Sequence, residues 1–280
     1  MKKNIVWLAS YPKSGNTWFR SFLYALLTDV SVDINRLNEI CSNFSYKGFF
    51  RKMTDFSPDY FYDSEIKCLL PEVYQQYALD RPDISYFKIH DAFTFNLLGE
   101  PIVPEQVTMG AIYLIRNPLD VSISLARHYD FSIDESIEMM NNHHYVIAEQ
   151  KNNLNVKTQF QQLLKSWRLH VESWTRLPNF PVAVVRYEDM LDKPLETFSR
   201  ALNLLDLKFT NEQINKAIEA SSFFKLKKQE QASGFIEKPA KAKMFFNDGK
   251  KDNWKEILHN SQIQKILHEN EELMKLYNYC

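Results

Sequence analysis

Apolar positions along this chain switch between a period of two and a period near 3.6, and the switches mark its elements. Asn4 to Ser10 (NIVWLAS) is a short apolar run rich in strand formers, and Tyr11-Pro12-Lys13-Ser14-Gly15 follows it as a turn signal. Beyond the turn, Trp18, Phe19, Phe22, Leu23, Leu26 and Leu27 paint one broad face of a helix. Ser85 to Ile89 and Gly110 to Ile115 read as further strands, the second running into Arg116-Asn117-Pro118, where Asn117 can cap a helix that has Pro118 at its first position. Val182 to Val185 is another strand; after Tyr187-Glu188-Asp189 a helix opens near Pro194, with Leu195, Phe198, Leu202 and Leu205 on one side.

Helical spacing also covers Phe160 to Leu177, Glu212 to Ser222 and a long stretch from Lys255 to Leu276. Strands alternating with helices predict an α/β fold, a central parallel sheet flanked by helices. The aromatic-rich stretch Phe44 to Tyr62 has no clean period and reads as a loop or lid. No internal repeat and no Gly/Ser-rich linker interrupts the pattern, so residues 1–280 are expected to form one domain.

Composition narrows the function. At 280 residues and 45% hydrophobic the chain can bury a substantial core, and a formal net charge of −1 excludes a general nucleic-acid binder, so any anion site must be local. Cys41, Cys68 and Cys280 are odd in number, far apart and in no CxxC spacing, which suggests neither a disulfide framework nor zinc. His143-His144 lack a further ligand at helical spacing, so no metal is expected. The basic start Met1-Lys2-Lys3 is followed by an apolar run broken at Pro12 and Lys13, and no run of about 18 apolar residues occurs. No membrane anchor is expected, and a cytoplasmic location fits best.

The chemistry concentrates in the first turn. A loop between a buried strand and a helix aims backbone N–H groups and the positive end of the helix dipole at one spot, which suits an anion. Gly15 allows close backbone approach, Lys13 supplies a full charge, and Ser14, Asn16 and Thr17 can add hydrogen bonds to phosphate oxygens. A plain capped turn would not need Lys, Gly and Thr together. The Walker pattern is absent, since no glycine precedes Lys13. The run Ser10-Tyr11-Pro12-Lys13-Ser14-Gly15-Asn16-Thr17-Trp18 resembles the 5'-phosphosulfate loop of the sulfotransferases that use 3'-phosphoadenosine 5'-phosphosulfate (PAPS).

Other positions extend the resemblance over nearly the whole chain. Arg116-Asn117-Pro118-Leu119-Asp120-Val121-Ser122-Ile123-Ser124 is similar to the family's 3'-phosphate motif, with Arg116 and Ser124 at the binding positions. Phe87-Lys88-Ile89-His90 matches its K-x-H element, and Lys88 and His90 share a strand face because side chains alternate. The resemblance implies His90 as general base, Lys13 neutralising the leaving phosphate and Lys88 holding the transferring group, with PAPS as co-substrate. It maps adenine contacts onto Trp18, Tyr187 and Phe223. The stretch Phe245 to Lys255 resembles the closing loop, with Gly249 and Trp254 matching and Lys250 nearby. Asn247 and Asp248 stand where an Arg-Lys pair belongs, and an inward turn of Lys250, Lys251 or Lys243 would offset Asp248. The expected acceptor is a small hydroxyl compound, apolar or ring-bearing, selected by Phe44 to Tyr62 and Tyr129 to Asn155. A P-loop kinase and an inactive nucleotide-binding homologue are the rival readings, and oligomeric state is not encoded in any motif.

Overall fold

A computed structural model describes residues 2–148 and 158–280. Its strands are β1 (Ile5–Ser10), β2 (Cys41–Asn43), β3 (Ser85–Ile89), β4 (Thr108–Ile115), β5 (Val146–Ile147), β6 (Gln162–Leu163) and β7 (Val182–Arg186). The helices that bear on the site are α1 (Asn16–Thr28), α2 (Lys47–Thr54), α3 (Asp63–Leu79), α4 (Pro118–Tyr129), α5 (Ile133–Asn141), α6 (Trp167–Arg176), α7 (Tyr187–Asp192), α8 (Pro194–Leu204), α9 (Asn211–Ala220), α10 (Phe223–Ser233), α11 (Trp254–Ile257) and α12 (Asn260–Leu276).

β2, β3, β1, β4 and β7 form one sheet in that order, every pairing parallel. Parallel strands need helical crossovers, which bury both faces of the sheet. Along β1, Ile5, Trp7 and Ala9 enter one core while Val6 and Leu8 enter the other, so the period-two alternation divides the apolar run of the strand between two helical layers. β4 does the same with Ala111, Tyr113 and Ile115 against Ile112 and Leu114. The alternation of strands and helices in the sequence therefore gives the expected architecture.

Several boundaries differ from the sequence reading. Phe160 to Leu177 is helical only over α6, because Gln162–Leu163 pair antiparallel with Val146–Ile147 and Ser166 then caps the helix through the Leu169 N–H at 3.3 Å. The span Lys255 to Leu276 is two helices, broken at Leu258, with His259 opening α12. Phe44 to Tyr62 is not a loop or lid: it holds α2 and a short 3₁₀ turn, Pro58–Tyr60, and Phe44 and Phe50 are buried. Phe44 stacks on Tyr74 of α3 with ring centroids 5.1 Å apart. Phe44, Phe49 and Phe50 serve the core, whereas Phe56, Tyr60 and Tyr62 are exposed and Tyr46 lines a cavity, so no single period shows. The second stretch expected to select the acceptor, Tyr129 to Asn155, lies outside the described residues from position 149 onward.

Candidate active site

The carboxyl ends of β1, β3, β4 and β7 open on one side of the sheet, where α/β folds hold their ligands. A cavity of about 750 Å³ lies there, within the range of small-molecule sites. Each strand end delivers part of it: Lys13 and Gly15 after β1, His90 after β3, Arg116 after β4 and Tyr187 after β7.

The loop after β1 is bent for this task. Lys13 has φ 70° and Gly15 φ 99°, both left-handed, and Gly15 also lies so near Tyr187 that a Cβ would stand 2.8 Å from Cδ2 of that ring. Asn16 ties the loop down: Nδ2 donates to the Leu8 carbonyl at 3.0 Å and to Ser10 Oγ at 3.2 Å. Its amide therefore braces β1, while Thr17 and Trp18 line the cavity. Ser14 Oγ is buried without a hydrogen-bond partner in the protein, as is Nε of Arg116. Of the two, Arg116 lines the cavity, where its Nε can donate to a ligand oxygen, whereas Ser14 does not line it. Together with the helix N-terminus and the cations, that donor fits a nucleotide phosphate.

Arg116 is set at the switch from β4 to α4, where Asn117 caps the helix through the Leu119 N–H and Pro118 takes the first position, as expected. Its guanidinium lies 4.3 Å from the Tyr187 ring centroid and donates to the carbonyls of Lys13 and Lys250. Tyr187 also meets Trp18 edge-to-face at 5.8 Å, so Arg116, Tyr187 and Trp18 form a single wall. Ser124 lines the same cavity. Phe223, at the start of α10, lines it too, and Gly249 is pressed against that ring: a Cβ there would come within 2.5 Å.

The closing loop compensates its acidic residue in an unforeseen way. Asp248 pairs with Arg127 of α4, and Asp120 of α4 accepts the N–H groups of Asp252 at 2.8 Å and Trp254 at 3.1 Å. Lys250 is exposed and meets Arg116 through its carbonyl, Lys251 pairs with Asp192, and Lys243 is exposed. None of these three lysines lines the cavity, whereas Asn247, Asp248 and Gly249 do.

At the other end of the cavity, Nδ1 of His90 lies 2.8 Å from the Ser10 carbonyl and 3.2 Å from Ser10 Oγ. A carbonyl accepts only, so Nδ1 carries the hydrogen and Nε2 the lone pair. Burial, followed by the nearby Lys88 charge, holds this imidazole well below its ordinary pKa, which keeps it neutral. His170 buttresses it from beneath, donating from Nε2 to the His90 carbonyl at 3.1 Å and accepting from the Tyr113 hydroxyl at Nδ1, 2.9 Å. Lys13 places Nζ 3.3 Å from His128 Nδ1 and 4.0 Å from the Phe245 ring centroid. Burial and then the Arg116 and Lys88 charges bring its pKa down to about 7. Burial, Lys13 and Lys88 press His128 to about 3, so it is a neutral acceptor for the ammonium.

Lys88 Nζ meets Glu237 at 3.3 Å. Burial alone would raise the Glu237 pKa, but Lys88 and Arg20 pull it down to about 2. Glu237, Arg20, His128, Arg127 and His170 carry no motif and escaped the sequence reading. The RHYD run at Arg127 and the polar Arg20 on the apolar face of α1 were the available signals. Among the described residues, no group of three or more His, Cys, Asp or Glu side chains is arranged to hold a metal ion.

The chain is similar to known proteins. The family model described as Sulfotransferase domain matches residues 3–278. Cytosolic sulfotransferase 15 of Arabidopsis thaliana is 28% identical over 94% of this chain and 70% of its own length. Flavonol 3-sulfotransferase of Flaveria bidentis is 22% identical, over 94% of this chain and 79% of its own. Among solved structures, retinol dehydratase in complex with retinol and PAP superposes with a TM-score of 0.63 at 18% identity, covering 98% of this chain and 82% of that one. A mouse sulfotransferase complexed with PAP gives 0.62 at 17% identity, covering 98% and 86%. These likenesses confirm the fold, and the match over almost the full length leaves a kinase without support. The chain is a member of the sulfotransferase family.

Proposed function

We propose that the protein transfers a sulfuryl group from PAPS to a hydroxyl of a small, ring-bearing acceptor, with His90 as general base. The observation that carries the reading is the approach of His90 Nδ1 to the Ser10 carbonyl at 2.8 Å: a carbonyl only accepts, so the hydrogen is assigned to Nδ1 and the lone pair on Nε2 is left for the acceptor proton. PAPS supplies an activated sulfuryl group on a nucleotide leaving group. Its phosphates are assigned to Lys13, Ser14, Gly15, Asn16 and Thr17 at the 5' end, and to Arg116, Ser124 and Gly249 at the 3' end; Lys250, exposed and outside the cavity, is left out of that set. Trp18, Tyr187 and Phe223 are assigned to the adenine.

The chain's own groups divide the work. Transfer of this kind is carried mostly by positioning and electrostatics, because charge builds on the leaving oxygen. Lys13, charged once an anion enters, meets that charge; Lys88 steadies the group in transit. Neutral His90 takes the proton. The relatives include a flavonol enzyme and a PAP complex with retinol, both with ring-bearing compounds, which supports the acceptor class. The likeness to a cytosolic sulfotransferase supports a cytoplasmic location, and no described helix is long and apolar enough to cross a membrane. The single domain over residues 1–280 stands as part of the same proposal.

The test is a screen of phenols and alcohols with labelled PAPS, repeated with His90→Ala. Turnover should fall about 10²- to 10⁴-fold while PAP still binds. Equal turnover in the variant removes His90 from the role, and PAP binding without any turnover in the parent chain would mark an inactive homologue.

A further inference from the structure

The two lysines at the reacting end are held by different means. Lys13 rests on neutral groups, the His128 imidazole and the Phe245 ring. Lys88 rests on a carboxylate, Glu237 Oε2 at 3.3 Å. Glu237 is itself gripped from α1: Nη1 of Arg20 lies 2.8 Å from Oε1 and 2.9 Å from Oε2. Arg20 is fully buried, and its Nη2 is spent on Asn38 Oδ1 and the Cys41 carbonyl. The backbone around Glu237 is pinned as well, since Asn35 accepts the Ile236 N–H at 2.9 Å and donates to the Gly234 carbonyl at 3.2 Å. Neither the carboxylate nor its segment is free to swing.

A buried arginine needs a counter-ion, and that need alone would place a carboxylate beside Arg20. It does not explain the rest. Glu237 reaches past Arg20 to Lys88 and lines the same cavity as Lys88 and His90, with its side chain 20% exposed. A lysine stem with several rotatable bonds aims poorly unless something fixes its tip, and a fork clamped to a buried guanidinium is a rigid fixture.

Resting on the sulfuryl-transfer reading above, we propose that Glu237 is a positioning residue for the transfer. It fixes the Lys88 ammonium beside His90 and leaves the remaining donors of that ammonium for the group in transit. Arg20 sets the carboxylate, the carboxylate sets Lys88, and Lys88 meets the sulfuryl oxygens.

A double-mutant cycle tests this. Turnover of labelled PAPS is measured for the parent chain, Lys88→Met, Glu237→Gln and the pair, with simple phenols and alcohols and with water as acceptors. PAP affinity is measured by calorimetry alongside. Glu237→Gln should lose about 10- to 100-fold in turnover, keep PAP affinity within about twofold, and cost nothing further once Lys88 is Met. An additive loss in the Lys88→Met background, or PAP affinity falling in step with turnover, would make Glu237 a counter-ion for Arg20 and overturn the proposal. If Glu237→Gln fails to fold because Arg20 is left unpaired, the cycle is run on Arg20→Met/Glu237→Gln, which removes both charges together. A parent chain inert toward every acceptor defeats the functional reading, and the proposal with it; an active parent with additive losses defeats the proposal alone.

Discussion

Lys13 should make nucleotide binding depend on pH in a window where the nucleotide itself scarcely titrates. In the free protein, burial and the Arg116 and Lys88 charges lower its pKa to about 7, so the fold favours the neutral amine above that point. An entering phosphate needs the ammonium, and binding must restore the missing proton. The sign follows: affinity is full below about pH 7 and is lost as pH rises. Each further pH unit costs about 1.4 kcal/mol. Between about pH 7 and about pH 8.5 the fraction of free protein carrying the charge falls from about one half to about one in thirty, so the dissociation constant for PAP should rise about 15-fold. Phosphate groups, with a second pKa of about 6, are already ionised over that range. Calorimetry in two buffers of different ionisation enthalpy reads both the affinity and the proton uptake, which should approach one at the alkaline end. Lys13→Arg, permanently charged, should flatten the profile. A constant affinity without proton uptake, or the same slope in Lys13→Arg, would refute the argument.

Two further outcomes follow from the walls of the cavity. Trp18→Ala removes a face on which adenine can stack, worth about 1–3 kcal/mol per base, so PAP affinity measured by fluorescence titration should drop about 5- to 150-fold; because Trp18 also packs against Tyr187 and Phe198, the melting temperature should fall as well. Asp248→Asn frees Arg127 from its partner and removes a negative charge from the cavity, so PAP should bind about 3- to 10-fold more tightly at low salt. Both side chains of that pair are about 40% exposed, and the gain should shrink as salt is raised.

Much of this was legible in the chain. β1 and β4 stood out because strands buried on both faces read as nearly unbroken apolar runs, and Asn117-Pro118 announced α4 through its own cap chemistry. The elements that were missed had no local signal. β2 is only three residues long, and β5 and β6 exist through each other. α2 hid because its aromatics answer to Tyr74 and Phe87 across the core rather than to a surface period. The same holds for the site. Lys13, Arg116 and His90 sit in motifs, whereas Glu237 acquires its meaning from Arg20 and Lys88, which chain folding alone brings to it. Asp248 was expected to be offset by a lysine near it in sequence, because its actual partner, Arg127, lies 121 residues away along the chain.

Ser10 ends β1 and begins the loop proposed to hold phosphate, yet it also holds the His90 imidazole proposed as base through its carbonyl. The loop and that imidazole are thus referenced to one residue, and their spacing is inherited from the pairing of Ala9 with Ile89 in adjacent strands. A chain built this way can exchange the segments around the acceptor freely, because no change there alters the gap across which the group must pass. Diversity of substrates on a constant reaction is what such a layout permits.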